Sequence, residues 1–366
     1  MTAVRIVAFV AGALCVYFTV GSAVRTVILP RGVASRLTRA VFVNMRIVFN
    51  LWAGPGASYE RRDRVLALYS PVSLLATLVA WVTLVVASFT AMYWGLGSLS
   101  VRSAFLVSGS SVFTLGIERP PDVPGSVLAF TEAAIGLVLL ALLITYLPSI
   151  YQAFSRREAA VTALEIRAGA PPSAVEMVER YWILERVEKL TDEWMSWEQW
   201  FVDIEETHTS FPALVFFRSP QPDHSWITAA GAVLDAASLI LSTVDVPRDV
   251  QAEFCIRAGY LALRRIASYF GIPYDSDPKR GDPISIGRNE YDDVVARLRS
   301  AGVPLKADLD EAWVDFAGWR VNYDTVLVVL AGFVVAPYAP WSSDRSIRGM
   351  SPRRFRPPLR QRRRAA

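Results

Sequence analysis

Arg102-Ser-Ala-Phe-Leu-Val-Ser-Gly-Ser-Ser-Val-Phe-Thr114-Leu115-Gly116-Ile117-Glu118-Arg119-Pro120 is the stretch on which the reading of this chain turns. It is half apolar and rich in serine, and it predicts a helix that begins near Ser100 and ends in a tight Thr-x-Gly turn. A Thr-x-Gly tripeptide alone carries little weight, since one arises about once by chance in a chain of this length. Its surroundings carry more. Residues 65 to 101 hold no charged side chain, and their core, Tyr69 to Trp94, is long enough to cross roughly 30 Å of hydrocarbon. Downstream, Ala133 to Ser155 is also free of charge, and a third apolar segment runs from Ile6 to Val24. Three such spans define an all-α membrane protein.

The distribution of Lys and Arg near span ends sets the expected orientation. Between the first two spans stand Arg25, Arg31, Arg36, Arg39, Arg46, Arg61, Arg62 and Arg64, against Glu60 and Asp63. That loop is expected in the cytoplasm. The segment between spans two and three has only Arg102 and Arg119, with Glu118, Asp122 and Glu132, and is expected outside. The N-terminus is then outside and the C-terminus inside. A cleaved signal peptide is the alternative for residues 1 to 24, with Arg5, an apolar run and Gly21-Ser22-Ala23 as its three regions. Val41, Phe42, Met45, Val48, Phe49 and Trp52, with Asn44 and Arg46, predict an amphipathic helix on the cytoplasmic interface or an ordinary linker helix.

The net charge of +4 hides a partition. Residues 1 to 154 hold 11 basic and 5 acidic side chains, residues 155 to 343 hold 18 and 28, and residues 344 to 366 hold 9 and 1. An acidic domain thus ends in an arginine tail with prolines, expected to be disordered. Anionic lipid headgroups would attract each of its basic residues by about 1 kcal/mol near a surface; folding back on the acidic domain and simple solvation are the alternatives. Nucleic acid is not expected as a partner, because no recognition module accompanies the basic run. Cys15 and Cys255 fall in different compartments, so no disulfide is expected between them, and two cysteines with two histidines are too few for a structural zinc site.

After the third span a helix is expected to continue through Arg156 and Arg157 until Gly169-Ala-Pro-Pro-Ser173 ends it. A second helix is predicted from there to about Glu206, because Ile183, Val187, Leu190, Trp194, Trp197, Phe201 and Ile204 form a seam spaced four and three apart. Further helices are predicted at 226 to 242, 247 to 270, 288 to 300, 306 to 319 and 322 to 336. The first of these contains Asp235 and the last is too short to span, so both are read as buried helices. No G-x-G-x-x-G follows a strand, which leaves no visible nucleotide-binding module.

The order of outer span, Ser-rich helix, Thr114-Leu115-Gly116-Ile117 and inner span resembles the potassium-channel pore-loop superfamily, in particular its two-span prokaryotic members. The resemblance covers residues 69 to 155. It implies a re-entrant pore helix and filter loop, a homotetramer and a permeating monovalent cation, K+ or Na+, with no other cofactor. It also implies a selectivity filter at Thr114, Leu115, Gly116, Ile117 and Glu118, whose carbonyls replace the hydration of an ion. Where the family filter reads T-V-G-Y-G-D, Ile117 takes the aromatic position and Glu118 that of the second glycine. Phe113 stands where a small hydroxyl residue is common. Phe113, Arg119 and Glu132 are read as pore mouth and filter support, with Glu132 reaching the back of the loop or staying in water at the interface. Gly136 and Pro148 are candidate hinges, glycine also serving close packing.

The expected organisation is an N-terminal transmembrane helix (1–30), a cytoplasmic interfacial segment (31–66), a pore domain (67–155), an α-helical cytoplasmic domain (156–343) and the basic tail (344–366). The functional expectation is a cation channel and not an enzyme. A non-conducting scaffold or receptor with a channel-like pore domain is the alternative, motivated by Glu118 and Phe113. A membrane-anchored enzyme is a third class, with Asp203, Glu205, Glu206, His208, Asp223 and His224 as its candidate residues; Glu205 and His208 share a helix face at metal-pair spacing.

Overall fold

The computed structural model describes residues 2–29, 35–54 and 56–345. The basic tail lies outside the described residues beyond Arg345. Among the described residues the chain is all α, with no strand and one isolated bridge between Val244 and Leu305. Three helical stretches are long and apolar enough to cross a membrane: Ala3–Val27, Tyr59–Leu96 and Val123–Ala168. The chain divides into two compact units, Met1–Gln152 and Ala153–Ala366.

The first unit contains α1 (Thr2–Val27), α2 (Arg36–Ala53), α3 (Tyr59–Ala67), α4 (Tyr69–Leu96), α5 (Val101–Val112) and most of the span of α6 (Val123–Ala168). Glycines let α1 and α4 approach closely. A Cβ on Gly12 would stand 2.6 Å from the Ser88 carbonyl oxygen, and one on Gly95 would stand 2.8 Å from that of Arg5. Toward the other end of α1, Trp81 Nε1 donates to Ser22 Oγ at 3.1 Å, and Ser22 is paired with Ser35, the N-cap of α2. This fitted interface makes α1 part of the folded unit. The amphipathic segment forms α2: Phe49 and Ala53 are buried, and Tyr69 donates to the Phe42 carbonyl at 3.0 Å. Ile47, Val48, Leu51 and Trp52 form its exposed face.

The second unit continues α6 to Ala168 and adds α7 (Ala174–Ile183), α8 (Leu190–Ser210), α9 (Trp226–Ser242), α10 (Val250–Phe270), α11 (Arg288–Ser300), α12 (Leu309–Arg320) and α13 (Asp324–Val334). Gly169, at φ 76°, ends α6 where the sequence placed its end, and Ser173 caps α7. The single helix expected from there to Glu206 is instead broken. Glu185 adopts a left-handed conformation, Arg186 N–H bonds the Tyr181 carbonyl at 2.9 Å, and a short 3-10 turn at Val187–Lys189 precedes α8. Ile183, the first member of the proposed seam, is exposed, whereas Leu190, Trp194, Trp197, Phe201 and Ile204 are buried. The break lets the aromatic face of α8 turn into the core independently of α7.

Helix α9 is the hub, buried along almost its whole length and packed by α7, α10, α12 and α13. Its Asp235 explains why so apolar a helix carries a charge. Arg320 donates to Asp235, to Asp324 at 2.8 Å and to the Trp341 carbonyl, while Tyr323 donates to Asp235 at 2.9 Å. Burial raises the Asp235 carboxyl above its ordinary range, and the adjacent Arg320 charge opposes the rise. Both apolar helices proposed as buried, α9 and α13, are buried and shorter than a span.

Candidate functional site

The turn after α5 is the chemically unusual feature of the first unit. Ser100 caps α5, its Oγ accepting the Ser103 N–H at 3.2 Å, so the helix starts where the serine predicts. At the other end Thr114 N–H bonds the Ser111 carbonyl at 3.0 Å and Leu115 N–H bonds that of Ser110 at 2.8 Å. This is the paired closure of a Schellman cap, which places the residue after the C-cap in the left-handed region. Glycine is the usual occupant; here it is Thr114, at φ 54°. A β-branched residue there is strained by about 1 to 2 kcal/mol. Gly116 follows at φ 69°, and Glu118 N–H bonds Ser110 Oγ at 3.1 Å, so the loop is pinned back onto the helix that precedes it.

Three donors of this loop, the N–H groups of Thr114, Leu115 and Glu118, therefore point toward α5. Among the described residues, no donor reaches the carbonyl oxygens of Thr114, Leu115, Gly116, Ile117 or Glu118. Phe113, Leu115 and Ile117 expose their apolar side chains, and Glu118 and Arg119 are exposed beside them. Exposed apolar groups alternate here with unpartnered acceptors.

Behind α5 lies Glu132 of α6, with no exposed surface. Ser108 Oγ bonds its Oε1 at 2.5 Å and Tyr93 hydroxyl donates to its Oε2 at 3.1 Å; Ser108 also bonds the Val86 carbonyl at 3.1 Å. Glu132 thus joins α4, α5 and α6 and acts through the helix, not through the loop that sequence reasoning assigned to it, nor in water at the interface. Ser108, Ser110 and Tyr93 were not singled out from sequence. Their signal was present in the serines of a half-apolar helix and in a tyrosine near the end of a charge-free span. Gly136 lies where α6 meets the last turn of α5, so that a Cβ would collide with the Val112 carbonyl oxygen. Close approach is its evident role. Pro148 lies inside α6, which continues through it, with Ser149 Oγ bonding the Thr145 carbonyl at 3.1 Å.

The span of α6 has three faces at helical spacing. Glu132, Leu139, Tyr146 and Ile150 are buried. One exposed stripe is large and apolar: Phe130, Leu137, Leu140, Ile144, Leu147 and Tyr151. The adjoining exposed stripe is small or polar apart from Val138: Thr131, Ala134, Ala141, Thr145 and Gln152.

The acidic and histidine residues of the second unit do not converge. Asp203 pairs with Arg156 at 3.2 Å, Glu205 with Arg265, and Glu206 accepts from Ser210 at 3.0 Å. His208 is buried against Trp226, with Arg157 Nη1 3.2 Å from its Nε2. Burial, and then the Arg157 charge, hold its pKa well below the ordinary histidine range. Asp223 is exposed, and His224 Nε2 lies 3.4 Å from Glu165. Among the described residues no group of three or more His, Cys, Asp or Glu side chains could hold a metal ion.

No family model, curated protein or solved structure matches this chain.

Proposed function

We propose that the chain is one subunit of a homotetrameric pore-loop cation channel, in which α4 is the outer helix, α5 the pore helix and α6 the inner helix. The observation that carries this reading is the loop of Thr114 to Glu118, in which the N–H groups of Thr114, Leu115 and Glu118 turn back on α5 while the carbonyl oxygens have no partner among the described residues. Such acceptors suit a partly dehydrated monovalent cation, K+ or Na+. One loop cannot surround an axis, so several copies are needed, and the resemblance to pore-loop channels makes them four. The small or polar stripe of α6 then faces the aqueous path, and the apolar stripe faces lipid or a neighbouring subunit. By the arginine count, the α1–α4 connection and the second unit are cytoplasmic. The second unit regulates or assembles the pore.

The test is cation flux into vesicles holding the purified full chain, with Gly116→Val as control. Gly116 has open space around its α-carbon, so valine acts through the backbone at positive φ and not through a clash. Wild-type flux of K+ or Na+, lost in the variant, supports the reading. Silence from correctly assembled tetramers overturns it. That silence is the outcome of the second reading, a non-conducting scaffold or receptor, which the exposed side chains of Phe113, Leu115 and Ile117 favour as an apolar plug.

A further inference from the structure

The segment between α8 and α9 wraps the part of α6 that belongs to the second unit. Arg157, fully buried, donates to the Leu214 carbonyl at 2.9 Å and to that of Phe217 at 2.7 Å, and Phe154 packs its ring on Phe217. Beside this strap is a small cavity of about 20 Å³ whose polar lining is Arg218, Ser219, His224 and Ser225. Three observations there describe its polar lining: two sets of hydrogen-bonding groups without partners, and a cation.

First, Ser219 Oγ and His224 Nδ1 are buried and have no hydrogen-bond partner, although their residues are only 9% and 7% exposed. Buried polar atoms in a folded protein are nearly always satisfied, by protein or by something bound. His224 Nε2 faces Glu165 at 3.4 Å, which leaves Nδ1 as the ring atom at the cavity. Second, the cavity sits at the N-terminus of α9, a helix of 17 residues. Its N-cap, Ser225, makes no side-chain cap bond, and the N–H groups of Trp226, Ile227 and Thr228 have no acceptor among the described residues. These three residues are themselves buried, so bulk water does not serve them. Third, the Arg218 guanidinium lines the same cavity, held in place by the Val334 and Val335 carbonyls at 2.9 Å each.

We propose that this cavity binds a small oxyanion. Trp226 at a helix start, a hydroxyl, an imidazole and the Arg218 cation border it, and that set is complementary to a negatively charged oxygen acceptor. The cavity is small, so the less bulky carboxylate is tested beside phosphate. Phe217 and Trp226 close its apolar side. The site is independent of the channel reading, since it uses none of the residues near the Thr114 turn. It does have a consequence for α6, because Phe217 and His224 are also the residues that touch that helix. An anion here tightens or loosens the grip of the strap on Arg157 and Glu165.

The experiment uses the full chain in detergent, with sodium acetate, sodium phosphate and sodium chloride compared at matched ionic strength. Binding is read as a saturable rise in melting midpoint and as broadening of the carbon-13 acetate resonance. Acetate is expected to saturate, and Ser219→Ala is expected to weaken it about tenfold or more, as loss of a hydrogen bond to a charged group does. His224→Gln is a second variant, should the first perturb folding. Saturable phosphate binding lost in the same variants supports the oxyanion site with a tetrahedral ligand. No saturable response to acetate or phosphate overturns the proposal and leaves the cavity to water. A response unchanged in both variants overturns it as well, placing the anion elsewhere.

Discussion

Replacing Glu132 with leucine tests whether three helices of the first unit are held by one carboxyl group. The substitution keeps volume roughly constant and removes both acceptors. Tyr93 hydroxyl, at 3.1 Å from Oε2, loses the carboxyl group in a buried setting, and Ser108 falls back on the Val86 carbonyl it already touches at 3.1 Å. The Tyr93 hydroxyl loses one partner and keeps Ser111 beside it, so this loss and that of the serine bond cost about 1 kcal/mol each and Glu132→Leu should destabilise by about 2 kcal/mol. Glu132→Gln, which keeps an acceptor oxygen, should cost about 1 kcal/mol or less. The triple variant Tyr93→Phe, Ser108→Ala, Glu132→Leu should regain much of the loss, because no orphaned polar group remains. Equilibrium unfolding of the full chain in mixed micelles, followed by circular dichroism, gives these differences. A double-mutant cycle between Tyr93→Phe and Glu132→Leu should show a coupling of about 1 to 2 kcal/mol. Strict additivity, or a Glu132→Leu variant as stable as wild type, would refute the bracing role.

Thr114→Gly should raise stability by about 0.5 to 1 kcal/mol, because removing left-handed strain outweighs the added freedom of glycine in the unfolded chain; a fall in melting midpoint would count against strain at this turn. Arg320→Met should destabilise the second unit by about 3 to 5 kcal/mol, since it leaves Asp235 and Asp324 buried without their cation, and chemical denaturation measures it. His208 has a depressed pKa in the folded state, so the unfolded state binds its proton more readily and stability falls as pH drops through the ordinary histidine range near 6.5. The slope reaches about 1.4 kcal/mol per pH unit below that value. His208→Gln should remove this part of the slope between pH 7 and 5, which melting curves at each pH would reveal.

Much of the fold was legible because its signals are local. Charge-free length located the spans, Ser100 announced α5, and the turn residues around α9 and α11 fixed both helices at the residues expected. Caps moved other boundaries by a few positions: Asp249 starts α10 and Asp308 starts α12, each by accepting first-turn N–H groups. The break between α7 and α8 was not legible, because no glycine or proline marks it. Glu185 is left-handed where its N–H bonds the Trp182 carbonyl and that of Arg186 bonds Tyr181, a local closure of α7 that a periodic seam conceals. The site divides in the same way. The Thr-x-Gly turn could be read from its place between two charge-free spans, whereas the meeting of Tyr93, Ser108 and Glu132 exists only once three helices are assembled.

The contrast between the two exposed stripes of α6 bears on how this helix tolerates change. Positions such as Leu137, Ile144 and Leu147 face surroundings that reward bulk without demanding a shape, so exchanges among aliphatic and aromatic residues there should be nearly silent. Ala134, Ala141 and Thr145 lie about a quarter-turn away and are just as exposed, yet they are kept small or hydroxylated. Introducing bulk there should have effects out of proportion to the surface lost, and a saturation library along α6 would show an abrupt change in permissiveness from one side of the helix to the other.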